Sequence, residues 1–171
     1  MLTTGIKFTN FKQKSINPKV LKYFKIIINE NNEVLNSLSK FYKNSFNKKK
    51  LKKFSKNSNF RILGMGGSSL GAKAIYNFLK NKIKKNFEFF DNLIPNLREN
   101  KKKKFTNIII SKSGNTIETI INANILIKKN DQNIFITEKK DSYLYSLAEK
   151  LKADVIHHNN YIGGRYSVLS E

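Results

Sequence analysis

The sequence predicts a three-layer α/β fold, in which a parallel β-sheet carries helices on both faces and is preceded by N-terminal helices. From residue 60 onward, short apolar runs alternate with amphipathic stretches, which is the pattern of consecutive βαβ units. Two of the apolar runs are followed by polar, glycine-containing loops that lead into helices. With 171 residues in all, we expect a helical segment and basic connector at 1–59 and one domain at 60–171.

The segment before residue 60 is predicted to be mainly helical. Apolar residues form two stripes at helical spacing, one within residues 20–28 and one within 34–42, and polar residues 29–32 separate them. Residues 48–59 are rich in Lys, Ser and Asn, which indicates a solvated loop or helix end. We therefore expect a helical hairpin and a connector that leads into the first strand.

The domain itself is predicted to alternate strands with helices. Strands are expected at 60–63, 87–90, 107–110, 133–136 and 154–156, and helices at 70–79, 116–129 and 142–151. In the helix at 116–129 we expect the apolar residues to face the sheet, namely Ile117, Ile120, Ile121, Ile125 and Leu126.

The composition is strongly basic but gives little support for nucleic-acid binding. The chain has 33 Lys and Arg against 12 Asp and Glu, for a net charge of +21. Only three of the basic residues are Arg, whose planar guanidinium makes the bidentate hydrogen bonds that favour binding to bases and phosphates. The many Lys residues occur together with abundant Asn and Ile, a combination that A/T-rich codons produce. We expect no nucleic-acid partner and attribute most of the charge to a solvated coat.

Cysteine usage and hydropathy exclude several further classes. The sequence has no Cys, so it has no disulfides and no thiolate metal site. It contains no apolar run of membrane-spanning length, and its first ten residues lack the apolar core of a signal peptide. We therefore expect a cytoplasmic protein with no membrane partner and no metal.

Two loops are candidates for binding a phosphate ester. In the first, Gly64, Gly66 and Gly67 allow a sharp turn, and Ser68 and Ser69 add hydroxyl donors. The second, residues 111–116, packs three hydroxyls, an amide and a glycine at a helix start. Each loop could also be a simple turn with a helix cap, and Asn115 and Glu118 have part of the spacing of a capping box. Both loops follow parallel strands, where doubly wound sheets bind ligands.

Three motifs together resemble the glucose-6-phosphate isomerase family. They are Gly-Met-Gly-Gly-Ser-Ser-Leu-Gly at 64–71, Ser-Lys-Ser-Gly-Asn-Thr-Ile-Glu-Thr at 111–119 and Gly-Gly-Arg-Tyr-Ser-Val-Leu-Ser at 163–170. The first two resemble the wider sugar isomerase (SIS) domain superfamily, and the third narrows the resemblance to the isomerase. The likeness covers residues 60–171, which would be the first, flavodoxin-like SIS domain of such an enzyme.

The resemblance implies a site for a sugar phosphate. The first loop would contact the substrate through Gly67 and Ser68, and Gly164 would let the backbone approach the sugar. The phosphate would be held by residues of the second loop, namely Ser111, Lys112, Ser113 and Thr116. Arg165 would be the catalytic residue, whose guanidinium stabilises the cis-enediolate formed when the carbonyl moves between C1 and C2.

The resemblance also implies what this chain lacks. In the family, the Glu that shuttles the proton, a His donated across the subunit interface and a C-terminal Lys belong to the second SIS domain. Neither His157 nor His158 matches that His, and we expect both to be loop residues; Glu118 and Glu171 are poor candidates for the base. We therefore expect a homodimer when full length, no cofactor, and ester binding without turnover by this chain alone.

Two alternatives remain open from the sequence. A non-enzymatic SIS module that senses sugar phosphates would need the two loops but not Arg165. A nucleic-acid-binding protein would use the Lys excess instead, and its affinity would depend steeply on salt.

Overall fold

A single parallel sheet forms the centre of the computed structural model, which describes residues 17–30, 32–94, 103–164 and 166–167. Within these residues the sheet has five strands in the order β2-β1-β3-β4-β5, and every neighbouring pair is parallel. The strands are β1 (Asn59–Gly64), β2 (Asn86–Phe90), β3 (Thr106–Ile110), β4 (Gln132–Thr137) and β5 (Asp154–His157). The predicted α/β fold with a parallel sheet is confirmed.

The strand order changes direction between β1 and β3. The chain moves outward from β1 to β2 and then returns to the other side of β1 to form β3, from which it continues to β4 and β5. Gly64 at the end of β1 pairs with Ile110 at the end of β3. In open α/β sheets, ligands bind outside the carboxyl ends of the strands at such a switch point, so this edge is where a site is expected.

Helices cover both faces of the sheet. The helix α4 (Gly67–Leu79) packs Tyr76 against Phe87 and Phe89 of β2, with ring centroids 5.2 and 5.9 Å apart. The helices α5 (Ile117–Leu126) and α6 (Tyr143–Lys150) cover the opposite face. They enclose a buried cluster formed by Leu63, Ile109, Ala123, Leu126, Phe135, Leu144 and Ala148. No helix in the described ranges is long and apolar enough to cross a membrane.

The N-terminal segment is less helical than predicted. The helix α1 (Pro18–Asn29) begins with Pro at its first position, and the side chain of Asn17 accepts the Lys19 N–H at 2.9 Å, as a helix start requires. The second helix, α2, spans only Glu33–Asn36, so the helix expected through residue 42 is wrong beyond that point. The Ser37 hydroxyl there donates to the Val34 carbonyl at 2.6 Å, a local bond that competes with helix continuation.

The basic connector contributes to the core. It contains the short helix α3 (Lys48–Leu51) and a 3₁₀ turn (Lys52–Phe54). Phe54 is buried with Phe60 and Ile134 on the same face of the sheet as α4. The prediction of a solvated connector therefore holds for its lysines but not for this aromatic residue.

The orientation predicted for α5 is partly wrong. Ile120 and Leu126 pack against the core, but Ile117 and Ile125 are 65% and 51% exposed, and Ile121 is also exposed. The buried face instead carries Thr119, Asn122, Ala123 and Leu126. Two polar contacts hold this orientation, since the Asn122 amide donates to the Asn92 carbonyl at 3.1 Å and the buried Arg61 donates to the Leu126 carbonyl at 3.0 Å.

Candidate functional site

Two helix N-termini meet at the carboxyl edge of the sheet. The first helix, α4, begins at Gly67, three residues after β1 ends, and α5 begins at Ile117 after the loop that follows β3. Because β1 and β3 are neighbours in register, both helix starts lie at the switch point. A helix N-terminus offers unpaired N–H groups and a partial positive charge, so this edge favours an anion.

The glycine loop, residues 64–67, turns the chain from β1 into α4. Gly66 is the N-cap of α4 with φ 57° and ψ −125°, a combination that a side chain disfavours. The helix starts three residues earlier than predicted, so Ser68 and Ser69 lie in its first turn. Ser68 is partly exposed, whereas Ser69 is completely buried and its hydroxyl lies 3.4 Å from the Gly66 carbonyl. Of these two predicted donors, Ser68 is the one accessible to a ligand.

The hydroxyl loop, residues 111–116, is organised by its own side chains. The hydroxyls of Ser111 and Thr116 are hydrogen-bonded to each other at 2.9 Å, and the Gly114 N–H donates to the Ser111 hydroxyl at 3.2 Å. Ser113 is exposed, and its hydroxyl accepts the Asn115 N–H at 3.2 Å. The loop therefore presents a hydroxyl pair, of which Ser111 is buried and Thr116 partly exposed, and one exposed hydroxyl beside the start of α5.

The start of α5 is not capped in the way that the sequence suggested. The side chain of its N-cap residue, Thr116, makes no capping hydrogen bond. The side-chain oxygen of Asn115 instead accepts the Tyr143 N–H at 2.9 Å, so this side chain caps α6 rather than α5. The first-turn N–H groups of α5 are thus not satisfied by the cap residue, which suits an anion-binding role.

A cavity of about 260 Å³ lies between the glycine loop and the hydroxyl loop. Its polar lining comes from Ser68, Lys112, His158 and Ser167, and the backbone of Gly67 also contributes. The apolar part of the lining includes Ile62, Ile108, Ile110 and Ile136 from three neighbouring strands. The cavity thus brings together parts of all three sequence motifs.

The other predicted site residues that the structure describes do not line this cavity. Ser111, Ser113 and Thr116 belong to the adjacent hydroxyl loop, and Gly164 is exposed. Arg165 lies outside the residues that the structure describes, so its predicted role stays a prediction. Among the described residues, no three His, Asp or Glu side chains are grouped to hold a metal ion.

A buried carboxylate that the sequence reasoning missed lies beside Lys112. Glu138 follows β4 and is 7% exposed, with its two oxygens 3.6 Å from the Lys112 ammonium and 2.8 Å from the Lys140 ammonium. Burial raises the pKa of Glu138, but the hydrogen bond from Lys140 and the positive charges of both lysines outweigh it and lower that pKa below its ordinary value. Glu138 is therefore an ionised partner for the lysines.

His158 lies in the loop after β5, as expected, whereas His157 is the last residue of β5 and not a loop residue. His158 is buried, lines the cavity, and places Nε2 at 3.3 Å from the Ile162 carbonyl, which accepts a hydrogen bond from the tautomer that carries its proton on Nε2. Its neighbour His157 is exposed, and the Nδ1 of His157 accepts the Lys139 N–H at 3.1 Å. His158 thus shapes the loop of residues 158–164, which we call the double-glycine loop because it ends in Gly163 and Gly164.

Sequence comparison relates the chain to glucose-6-phosphate isomerases. A scan against protein-family models finds no match. The chain is 37% identical over 127 residues to glucose-6-phosphate isomerase of Borreliella burgdorferi and 35% identical over 125 residues to that of Methanocaldococcus jannaschii. These alignments cover 63% and 66% of this chain, but the chain spans only 24% and 30% of those relatives. The resemblance inferred from the three motifs is confirmed.

Structural comparison gives the same fold. A hypothetical protein from Thermus thermophilus aligns with a TM-score of 0.62 at 20% identity, and the alignment covers 90% of this chain and 43% of the Thermus chain. The tagatose-6-phosphate ketose/aldose isomerase of Escherichia coli aligns with a TM-score of 0.52 at 17% identity, and the alignment covers 88% of this chain and 41% of the isomerase chain. At these identities the likeness concerns the fold alone, and the SIS-type fold predicted from the sequence is confirmed.

Proposed function

We propose that this chain, which resembles glucose-6-phosphate isomerases in sequence, is the sugar-phosphate-binding part of such an enzyme. The reaction would interconvert glucose 6-phosphate and fructose 6-phosphate, in glycolysis and gluconeogenesis. The observation that carries the proposal is the meeting of two helix N-termini at the ends of β1 and β3, beside a cavity lined by Ser68 and Lys112. Such a place suits a ligand with an anionic end and a polar body.

The phosphate would bind at the hydroxyl loop. The amides at the start of α5 and the Ser113 hydroxyl would supply donors to its oxygens, together with whichever hydroxyl of the Ser111 and Thr116 pair does not donate to the other. Lys112 would add a positive charge from the cavity side. Because hydroxyls and amides are neutral donors, they hold the ester without fixing it too tightly for release, which turnover requires.

The sugar would extend from that loop into the cavity. Gly67 and Ser68 line the cavity from α4 and would contact its hydroxyls. Moving the carbonyl between C1 and C2 passes through a cis-enediolate, in which negative charge develops on the two oxygens. The guanidinium of Arg165 would stabilise that charge, and Gly164 beside it would allow the backbone to come close.

The proton transfer itself would use groups that this chain does not supply. Glu138 is ionised but shared between two lysines, and its lowered pKa makes it a weak base. Glu118 lies in the first turn of α5. We therefore propose that this chain alone binds the ester without turnover. A cytoplasmic homodimer that needs no metal or nucleotide cofactor is part of the same proposal.

Calorimetric titration of the 171-residue chain with 6-phosphogluconate tests the phosphate site. Thr116→Val removes a hydroxyl of the loop and should weaken binding about tenfold, as expected for one charge-assisted hydrogen bond. Thr119→Val is the matched control, because Thr119 is buried one turn along α5 and its hydroxyl has no hydrogen-bond partner in the described part of the chain. Equal affinities for the two variants would contradict the proposed site.

A second titration separates the isomerase from a sensing module. An isomerase site should bind 6-phosphogluconate more tightly than inorganic phosphate, and Arg165→Ala should remove most of that difference. A sensing module would keep its preference without the guanidinium. If the purified chain catalyses the isomerisation and Arg165→Ala abolishes that activity, the chain contains a catalytic base and the proposal that it lacks one is wrong.

A further inference from the structure

The side chain of Lys112 links the hydroxyl loop to the double-glycine loop. Its ammonium donates to the Asn160 carbonyl at 2.6 Å and lies 3.6 Å from an oxygen of Glu138. The first contact is a short hydrogen bond, whereas the second is too long for one and is an ion pair. The Lys112 side chain therefore extends from the loop after β3 to the loop after β5, and its ammonium is paired with the buried carboxylate of Glu138.

The double-glycine loop is also held at both ends, where the His158 N–H donates to the Thr137 carbonyl at 2.9 Å and the Gly163 carbonyl accepts the Tyr166 N–H at 2.8 Å. Ile162 is fully buried, the His158 ring lies against the Ile162 carbonyl, and the Asn159 amide donates to the Tyr42 hydroxyl at 2.6 Å. Asn160 itself is exposed. The contact that connects this exposed part of the loop to the hydroxyl loop is the bond from Lys112, and residue 165 follows in sequence.

We propose that Lys112 is a positioning residue, which couples occupancy of the hydroxyl loop by a phosphate to the placement of the double-glycine loop. An ammonium has three N–H donors, and one hydrogen bond to Asn160 leaves donors that can reach an oxygen of a bound anion. Since Lys112 also lines the cavity, it can hold the anion and the loop at once. The inference rests on the proposed function, because it assumes that the hydroxyl loop binds the phosphate.

Hydrogen exchange of the 171-residue chain, measured with and without 6-phosphogluconate, tests this coupling. In the unmodified chain the ligand should slow exchange of the amides of residues 159–164 about tenfold. In Lys112→Met the same amides should exchange rapidly even at a 6-phosphogluconate concentration that saturates the variant. Lys140→Met is the matched control, because Lys140 pairs with the same Glu138 but does not bond to the double-glycine loop, and it should behave like the unmodified chain.

A conservative variant and a stability check complete the design. Lys112→Arg should restore part of the protection, since a guanidinium can reach both a carbonyl and an anion. The melting temperature must stay close to that of the unmodified chain; if Lys112→Met fails this check, the polar variant Lys112→Gln takes its place with the same expected result.

The failures of the two proposals are distinguishable. If the ligand binds but protects the loop equally in Lys112→Met and Lys140→Met, the coupling is wrong and the proposed site stands. If neither 6-phosphogluconate nor inorganic phosphate binds the unmodified chain, the proposed function fails and the coupling fails with it.

Discussion

The most demanding position in the hydroxyl loop is Gly114, and Gly114→Ala is the sharpest test of its geometry. Gly114 has φ +68°, in the left-handed region that side chains disfavour. A Cβ at this position would overlap the Ser142 hydroxyl oxygen, and it would lie 2.7 Å from the Ser142 Cβ and 3.1 Å from the Thr137 hydroxyl oxygen. The substitution therefore meets both a backbone penalty and a steric clash with the start of α6.

The two penalties can be estimated separately. The left-handed backbone costs an Ala about 1 kcal/mol, and forcing a methyl group into a filled space costs about 1–3 kcal/mol. A loss of about 3 kcal/mol is a large part of the roughly 5–15 kcal/mol that stabilises a typical domain. For a chain of this size it corresponds to a fall in melting temperature of about 6–12 °C.

Thermal unfolding followed by circular dichroism measures this loss, and a second substitution separates its parts. Ser142→Gly removes the two closest obstructing atoms and leaves the Thr137 hydroxyl oxygen at 3.1 Å. Ser142 is a helix N-cap, where Gly costs only a few tenths of a kcal/mol. The Ser142 hydroxyl has no hydrogen-bond partner among the described residues, so little else is lost. Gly114→Ala combined with Ser142→Gly should recover most of the steric part and leave a loss of about 1–2 kcal/mol. A double variant no more stable than Gly114→Ala would refute the packing deduced here.

Two further predictions concern the neighbouring loop and carboxylate. Glu138→Gln should lower the free energy of unfolding by about 1 kcal/mol at pH 7. Because the folded-state pKa of Glu138 is lowered, this difference should disappear as the pH falls below about 4. Urea unfolding of both proteins at a series of pH values measures it. A pH-independent difference would contradict the ionised pairing. Asn115→Ala should lower the melting temperature by about 2–4 °C, since it removes the cap of α6. The exposed Asn130→Ala is its control, and an equal loss there would show that the cap contributes nothing.

The sequence predicted the positions of the strands well because each strand is a short apolar run bounded by polar or glycine residues. All five expected strands are present, and the two phosphate loops lie at neighbouring strand ends as predicted. Local pattern is sufficient here, since both β-propensity and the glycine requirement act over a few residues. The roles assigned to Arg165 and to the hydroxyls stay predictions.

What failed depends on contacts between distant residues. On α5, two sets of residues have helical spacing, and the set with more isoleucines is the exposed one. The buried face packs Ala123 and Leu126 into the core and is joined by the Asn122 bond to the Asn92 carbonyl, contacts between distant residues that local pattern does not reveal. The burial of His158 was not predicted for the same reason, because the Ile162 carbonyl that contacts its ring lies in a loop without regular structure. Glu138 carried one usable signal, namely an acidic residue at the carboxyl end of a strand at the site edge.

The internal bonds of the hydroxyl loop bear directly on how it would bind a ligand. Ser111 is fixed by its bonds to the Gly114 N–H and the Thr116 hydroxyl, so the loop is ordered before any anion arrives. Binding then loses little conformational entropy, which is the advantage of a preorganised site. The same rigidity affects Lys112, whose backbone carbonyl accepts the Glu138 N–H at 3.1 Å. Because the backbone there is tied on both sides, we expect a pull on the ammonium to move the exposed Asn160 segment rather than the hydroxyl loop.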